Sequence, residues 1–148
     1  MDVLTIVTVN KNSGKSFIST ELNVIKCLKS IKNVNWLIID SMSNDVSRER
    51  IEKIKKNYSD LPIKILREKD NGIYNAMNKA ILKVQSKFIV FINSGDTLDY
   101  EVLKKINLET IDKFCSIVFS YKNKTINKFP LNFLKMILHL SLLDNQQI

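Results

Sequence analysis

The stretch Phe88-Ile-Val-Phe-Ile-Asn-Ser-Gly-Asp96, "FIVFINSGD", decides the fold. Five apolar residues run without a break and stop at a polar turn built around one of only three glycines in the chain. A short continuous apolar run bounded by turn residues is the pattern of a strand buried on both faces, as in a parallel sheet. Upstream lie three runs of the same kind, "LTIVTV" (4–9), "WLIID" (36–40) and "IKIL" (63–66). Helical periodicity fills the gaps between them. Ser19 and Thr20 offer caps for a first helix with Leu22, Ile25, Leu28 and Ile31 on one stripe. Ile51, Ile54 and Tyr58 align on a second helix, and Ile73, Met77, Ala80, Ile81 and Val84 on a third that follows Gly72. Strand–helix–strand repeated three times predicts an α/β domain, a mostly parallel sheet flanked by helices with right-handed crossovers.

Beyond Asp99 the pattern predicts a short helix over 101–106 and then "SIVFSY" (116–121) and "KTIN" (124–127) as a hairpin or added edge. Pro130 is placed to open a last apolar helix. The apolar stretch "FPLNFLKMILHLSLL" is interrupted by Lys135 and His139, so no transmembrane helix is expected. Neither repeats nor low-complexity segments are present, and a single domain is expected over 1–148.

The chain carries a formal net charge of +8, which favours anionic partners without selecting one. Its lysines are dispersed and its aromatics are not interleaved with them, so nucleic acid is not the expected partner. Cys27 and Cys115 lie far apart in apolar contexts, and His139 is the only histidine, which excludes a zinc site of ordinary spacing. Reduced core thiols in a cytosolic protein are the expectation.

Each strand exit is polar. The first gives Thr8 and Asn10, the second Asp40 with Ser41, Ser43, Asn44 and Asp45, the third "REKDNG" (67–72), and the fourth "NSGD" (93–96). In an open α/β sheet these exits converge at the carboxyl edge, where ligands bind. Two phosphate chemistries compete for that edge. "NKNSGKS" (10–16) holds Gly14-Lys15-Ser16 between strand and helix, as a P-loop triphosphatase would, but Val9 stands where that motif requires its first glycine. The other chemistry is that of a nucleotide-sugar, whose diphosphate departs with its charge neutralised by a hard divalent ion. Such an ion needs only one or two protein carboxylates, with phosphate oxygens and water completing its shell. Asp96 on a tight turn suits that role, with Gly95 giving room for close approach and Asn93 beside it.

On "TIVTVN", "WLIIDSMSND", "REKDNGIYNAMNKAI" and "FIVFINSGDTL" the sequence resembles a family-2 glycosyltransferase of the GT-A fold, in the bacterial branch that builds surface polysaccharides. The resemblance implies a Rossmann-like nucleotide-diphosphosugar fold, a nucleotide-sugar donor (UDP as the family-level expectation) and Mn²⁺ or Mg²⁺. It implies inverting transfer to a glycan or lipid-linked acceptor, in the cytoplasm or peripherally at the inner membrane face. Carried over by position, Thr8 and Asn10 would line base and ribose, and Asp40 would contact the base with Asp45 closing its loop. Arg67, Asp70 and Asn78 would lie near the donor, and Asn93 and Asp96 would stand for the D-x-D metal motif, with Asp96 the metal ligand. Departures are Asn93 in place of the first acid, "SMSND" where a glycine is common, and Asn75 and Ala80 in the "GIYDAMNKG" pattern.

The resemblance divides the chain into a donor-binding part (1–98) and the start of an acceptor-side part (99–148). Family members continue further, so a C-terminally truncated chain is expected. Asn145-Gln146 stands where His-Gln is usual, Asp144 is a weak candidate for the general base, and no base is assigned. A non-catalytic donor-binding fragment is therefore the alternative reading.

Overall fold

The structure is a computed structural model and describes residues 2–105. The expected hairpin at 116–127, the apolar helix after Pro130, Cys115, His139, Asp144 and the Asn145-Gln146 pair lie outside the described residues.

Four strands form one sheet: β1 (Leu4–Asn10), β2 (Val34–Asp40), β3 (Ile63–Arg67) and β4 (Phe88–Asn93). The order is β3-β2-β1-β4 and every pairing is parallel. All seven residues of β1 are buried, as a central strand covered on both faces requires. Among the described residues four α-helices accompany the strands: α1 (Phe17–Ser30), α2 (Val46–Asn57), α3 (Ile73–Ile81) and α4 (Tyr100–Lys105). The chain steps outward from β1 to β3 and then returns past β1 to β4. Right-handed crossovers therefore put α1 and α2 on one face and α3 on the other, in keeping with the contacts of α1 with α2 and of α3 with β1 and β2.

The core beneath α1 is anchored by Trp36, whose ring stacks on Phe17 with centroids 6.2 Å apart. The Trp36 indole N–H donates to the Thr8 hydroxyl at 3.0 Å, so this buried polar pair is satisfied. Buried Glu21 of α1 accepts from Arg50 of α2 at 2.7 Å, tying the two helices. Cys27 is buried, and desolvation pushes its thiol up to about 11, which keeps it protonated and inert.

Three local expectations are corrected. Ser19 and Thr20 are not caps, because a 3-10 turn (Gly14–Ser16) leads into α1 and Ser16 holds the cap position. The buried stripe of α1 is Phe17, Thr20, Val24, Cys27 and Leu28 together with Glu21 and Ile25, which leaves Leu22 58% exposed. Two polar residues, Thr20 and Glu21, face inward because partners across the interface bond them. On α3 the buried residues are Ala76, Met77 and Ala80, whereas Ile73, at the first helical position, stands exposed at the helix end.

Candidate functional site

Strand register brings the polar exits into one row. Asn10 pairs with Asp40, Asp40 with Arg67, and Val9 with Asn93. The sheet changes direction between β1 and β4, so the crevice expected to receive a ligand opens between Asn10 and the turn that follows Asn93.

Asn10 is the hub of this edge. Its buried Nδ2 lies 2.9 Å from Asp40 Oδ1 and 3.0 Å from the hydroxyls of both Ser43 and Ser47. Its Oδ1 accepts from Ser94 at 2.8 Å and from Ser13. One side chain thus joins the exits of β1, β2 and β4 and the start of α2. Asp40 is 1% exposed. Besides Asn10 it takes the Ser43 amide at 3.2 Å and faces Arg67 Nε at 3.4 Å. Arg67 also donates to the Ser43 carbonyl at 2.9 Å and lies 3.6 Å from Glu52. Each guanidinium nitrogen thus faces a partner, Nε Asp40, Nη2 the Ser43 carbonyl and Nη1 Glu52, while the side chain remains partly open to solvent.

The segments after β1 and β2 are pinned to each other. Asn12 donates its amide to Ser43 Oγ and accepts the Asn44 amide, both at 2.9 Å. The Gly14 amide donates to Asp45 Oδ2 at 2.6 Å, while Asp45 Oδ1 caps α2 through the Ser47 amide at 3.0 Å. Burial acts to raise the Asp45 carboxyl, but bonds from the Ser47 hydroxyl and the Gly14, Ser47 and Arg48 amides outweigh it and hold the group below its ordinary value. These bonds also answer the P-loop reading. A phosphate cradle needs free backbone amides, and those of Asn12, Gly14 and Ser16 are bonded to Ser43, Asp45 and the Ser13 carbonyl.

The fourth exit is a turn in which the Asp96 amide donates to the Asn93 carbonyl at 3.0 Å, with Gly95 at φ +104°. A left-handed backbone there favours glycine, which accounts for this one of the chain's few glycines. A helix holds the turn from below. Thr20 Oγ1 accepts the Gly95 amide at 2.8 Å and donates to the Asp96 carbonyl at 2.8 Å. Ser19 donates to the Gly95 carbonyl at 3.1 Å, and the Asn23 amide group bonds both the Leu98 carbonyl (2.9 Å) and its N–H (2.8 Å). Asp96 itself is exposed, and among the described residues nothing bonds its carboxylate.

The expected residues therefore separate into two sets. Thr8, Asn10 and Asp40 are buried, with Thr8 engaged by Trp36 beneath the sheet edge and not presented to the crevice. Asp70 is also buried and accepts the Gly72 amide at 3.0 Å, shaping the entry to α3. Arg67, Asn78, Asn93 and Asp96 are exposed, and Asp45 is half-buried. Sequence reading missed Ser43, Ser47 and Ser94 as partners of Asn10 and Thr20 as the holder of the turn. Their only signal is clustering of small hydroxyl residues at strand exits.

The residues fit a metal shared with a bound diphosphate. Asp96 offers one exposed carboxylate that no described residue bonds, and among the described residues no group of three or more acidic, His or Cys side chains forms a self-sufficient metal cage.

The open parallel sheet flanked by helices is that of the GT-A, Rossmann-like fold. The chain belongs to Glycosyl transferase family 2, which it matches over residues 5–138. Solved structures share the fold. One is the mannosyltransferase PcManGT from Pyrobaculum calidifontis in complex with GDP-Man and Mn²⁺, at a TM-score of 0.58 and 15% identity over 65% of this chain and 28% of that one. Another is S. aureus TarS 1–349 in complex with UDP, at 0.57 and 23% over 69% of this chain and 30% of that one. This chain thus spans less than a third of either structure. No curated protein matched the chain.

Proposed function

We propose that residues 1–98 form the donor site of an inverting glycosyltransferase that takes a UDP-sugar and acts in surface-polysaccharide synthesis, with 99–148 beginning the acceptor side. The observation that carries this reading is the exposed Asp96 carboxylate, bonded by no described residue, on a tight turn at the switch point, one strand from the linked row Asn10–Asp40–Arg67. Family membership and the nucleotide-bound TarS and nucleotide-sugar-bound PcManGT support it.

In this reading Arg67 forms the nucleotide side of the crevice. Asp40 and Asn10 act through it, fixing the guanidinium from beneath, and Asn78 and Asn93 offer exposed amides to the ribose and sugar. Asp96 faces the diphosphate, where Mn²⁺ or Mg²⁺, when bound, neutralises the charge of the leaving group. The acceptor is a glycan or lipid-linked hydroxyl. Its oxygen bonds to the anomeric carbon from the face opposite the nucleoside diphosphate as the bond to that diphosphate breaks, and its proton passes to a base that we do not assign. Work at the inner membrane face accords with such an acceptor. No helix among the described residues is long and apolar enough to cross a membrane.

Calorimetric titration of the chain with UDP, with and without Mn²⁺ and with ATP as the control, tests the reading. Mn²⁺-dependent binding of UDP is expected. A folded sample that prefers ATP, or binds UDP identically with and without Mn²⁺, refutes it.

A further inference from the structure

We infer that Thr20, a residue of helix α1 outside the strand exits, positions the Asp96 carboxylate. The inference rests on the donor-site reading and adds a positioning residue to it.

Thr20 lies in the first turn of α1, where a threonine hydroxyl can bond back to the preceding carbonyls. In α1 it is Ser19 whose hydroxyl bonds back, to the Ser16 carbonyl at 2.8 Å. Thr20, fully buried, directs its hydroxyl away from the helix and into the turn after β4. It accepts the N–H of Gly95 and donates to the carbonyl of Asp96, each at 2.8 Å, with the Asn93 carbonyl at 3.3 Å. A single hydroxyl thus fixes the peptide groups on either side of the Asp96 nitrogen. Among the described residues only the backbone of Asp96 is held, its N–H by the Asn93 carbonyl at 3.0 Å and its carbonyl by Thr20, so Thr20 is the side chain that fixes the base of the Asp96 carboxylate. Ser19 and Asn23 extend the same grip to Gly95 and Leu98.

Valine has the shape of threonine without the hydroxyl, so Thr20→Val removes both bonds and leaves the packing. Thr20→Ser keeps the hydroxyl. Thr5→Val serves as a control, because Thr5 is also buried and its hydroxyl bonds Ser86 at 2.7 Å, away from the turn. Two readouts are taken on the full chain. The first is the ratio of UDP affinities with and without Mn²⁺. Thr20→Val is expected to lose about tenfold of that ratio, the equivalent of one well-placed hydrogen bond, with metal-free UDP binding unchanged. Thr20→Ser should restore the ratio and Thr5→Val should keep it. The second is amide exchange of Gly95 in the unliganded chain, which should quicken in Thr20→Val alone.

A Thr20→Val chain with the parent's Mn²⁺ ratio overturns the positioning role. So does unchanged Gly95 exchange, whatever the ligand results. A parent that shows no Mn²⁺ effect refutes the donor-site reading instead, and the Gly95 exchange then still decides whether Thr20 holds the turn.

Discussion

Replacing Asn10 by aspartate strikes hardest at one bond in the hub. Four of the five partners of Asn10 are hydroxyls; those of Ser13 and Ser94 already donate to it, that of Ser43 can rotate to donate, and that of Ser47 keeps its hydrogen on Asp45. Asp40 cannot adapt, because an ionised carboxylate only accepts. Asn10→Asp therefore sets two carboxylates against each other where the present separation is 2.9 Å. At an effective dielectric of about 20 two such charges repel by about 6 kcal/mol, which exceeds the cost of neutralising one of them. Protonating a carboxyl of ordinary pKa, about 3.9, at pH 7 costs about 4 kcal/mol. The pair will take up a proton on folding, and about 4 kcal/mol is the ceiling on the destabilisation at pH 7. The sign of the pH dependence follows. A carboxyl whose folded pKa is raised binds more protons folded than unfolded, so the deficit shrinks by about 1.4 kcal/mol for each unit of acidification and is small near pH 4. Urea unfolding of parent and variant between pH 4.5 and 7.5 reads this directly. A deficit under about 1 kcal/mol at pH 7, or one that does not change with pH, would show that Asn10 and Asp40 are not bonded as described.

Asp96→Ala should abolish the Mn²⁺-dependent part of UDP binding while changing stability by no more than about 0.5 kcal/mol, since an exposed carboxylate carries little packing; calorimetry and a melting curve check the two halves. Asp40→Ala should weaken UDP binding with and without metal by releasing Arg67, and unchanged affinity would refute that linkage. Asp45→Ala should cost about 1 kcal/mol at pH 7 through loss of the α2 cap. Because the folded Asp45 carboxyl lies below its ordinary value of 3.8, the parent's advantage is complete above that pH and declines as pH falls through the lowered value, which acid unfolding curves of the two chains will show. Gly95→Ala should destabilise the chain by roughly 1–3 kcal/mol from backbone strain at positive φ. Crowding adds little, as the new Cβ would meet Ser16 Cβ at an ordinary 3.5 Å; chemical denaturation gives the value.

The sheet was legible from its apolar runs, although burial on both faces holds for the central β1 and β2 and not for β3 and β4, whose residues are mostly half-buried or exposed. The runs at 4–9, 36–40, 63–66 and 88–92 became β1 to β4 with boundaries shifted by two residues or fewer. Strand order and register were not legible. They arise from pairing between segments 84 residues apart, as of Leu4 with Phe88. The same limit explains the two sets of site residues. Sequence marks Thr8 and Arg67 alike as polar residues at strand exits, and only the fold shows that Trp36 claims one while the other reaches solvent. Thr20 misled for a related reason. A Ser-Thr pair near a helix start has the composition of a cap, but the partner of Thr20 lies 75 residues along the chain.

The bond from the Gly14 amide to Asp45 also bears on competition among ligands. A loop of the "GKS" kind invites any polyphosphate, and nucleoside triphosphates would be the natural intruders. Here the chain carries its own tethered anion, held at 2.6 Å by the very amide a phosphate would seek. Being covalently part of the protein, it cannot be diluted away, and a free anion competes for that amide only against its effective concentration. Asp45 thus occupies the Gly14 amide and, through the same carboxylate, ties the segment after β1 to the start of α2.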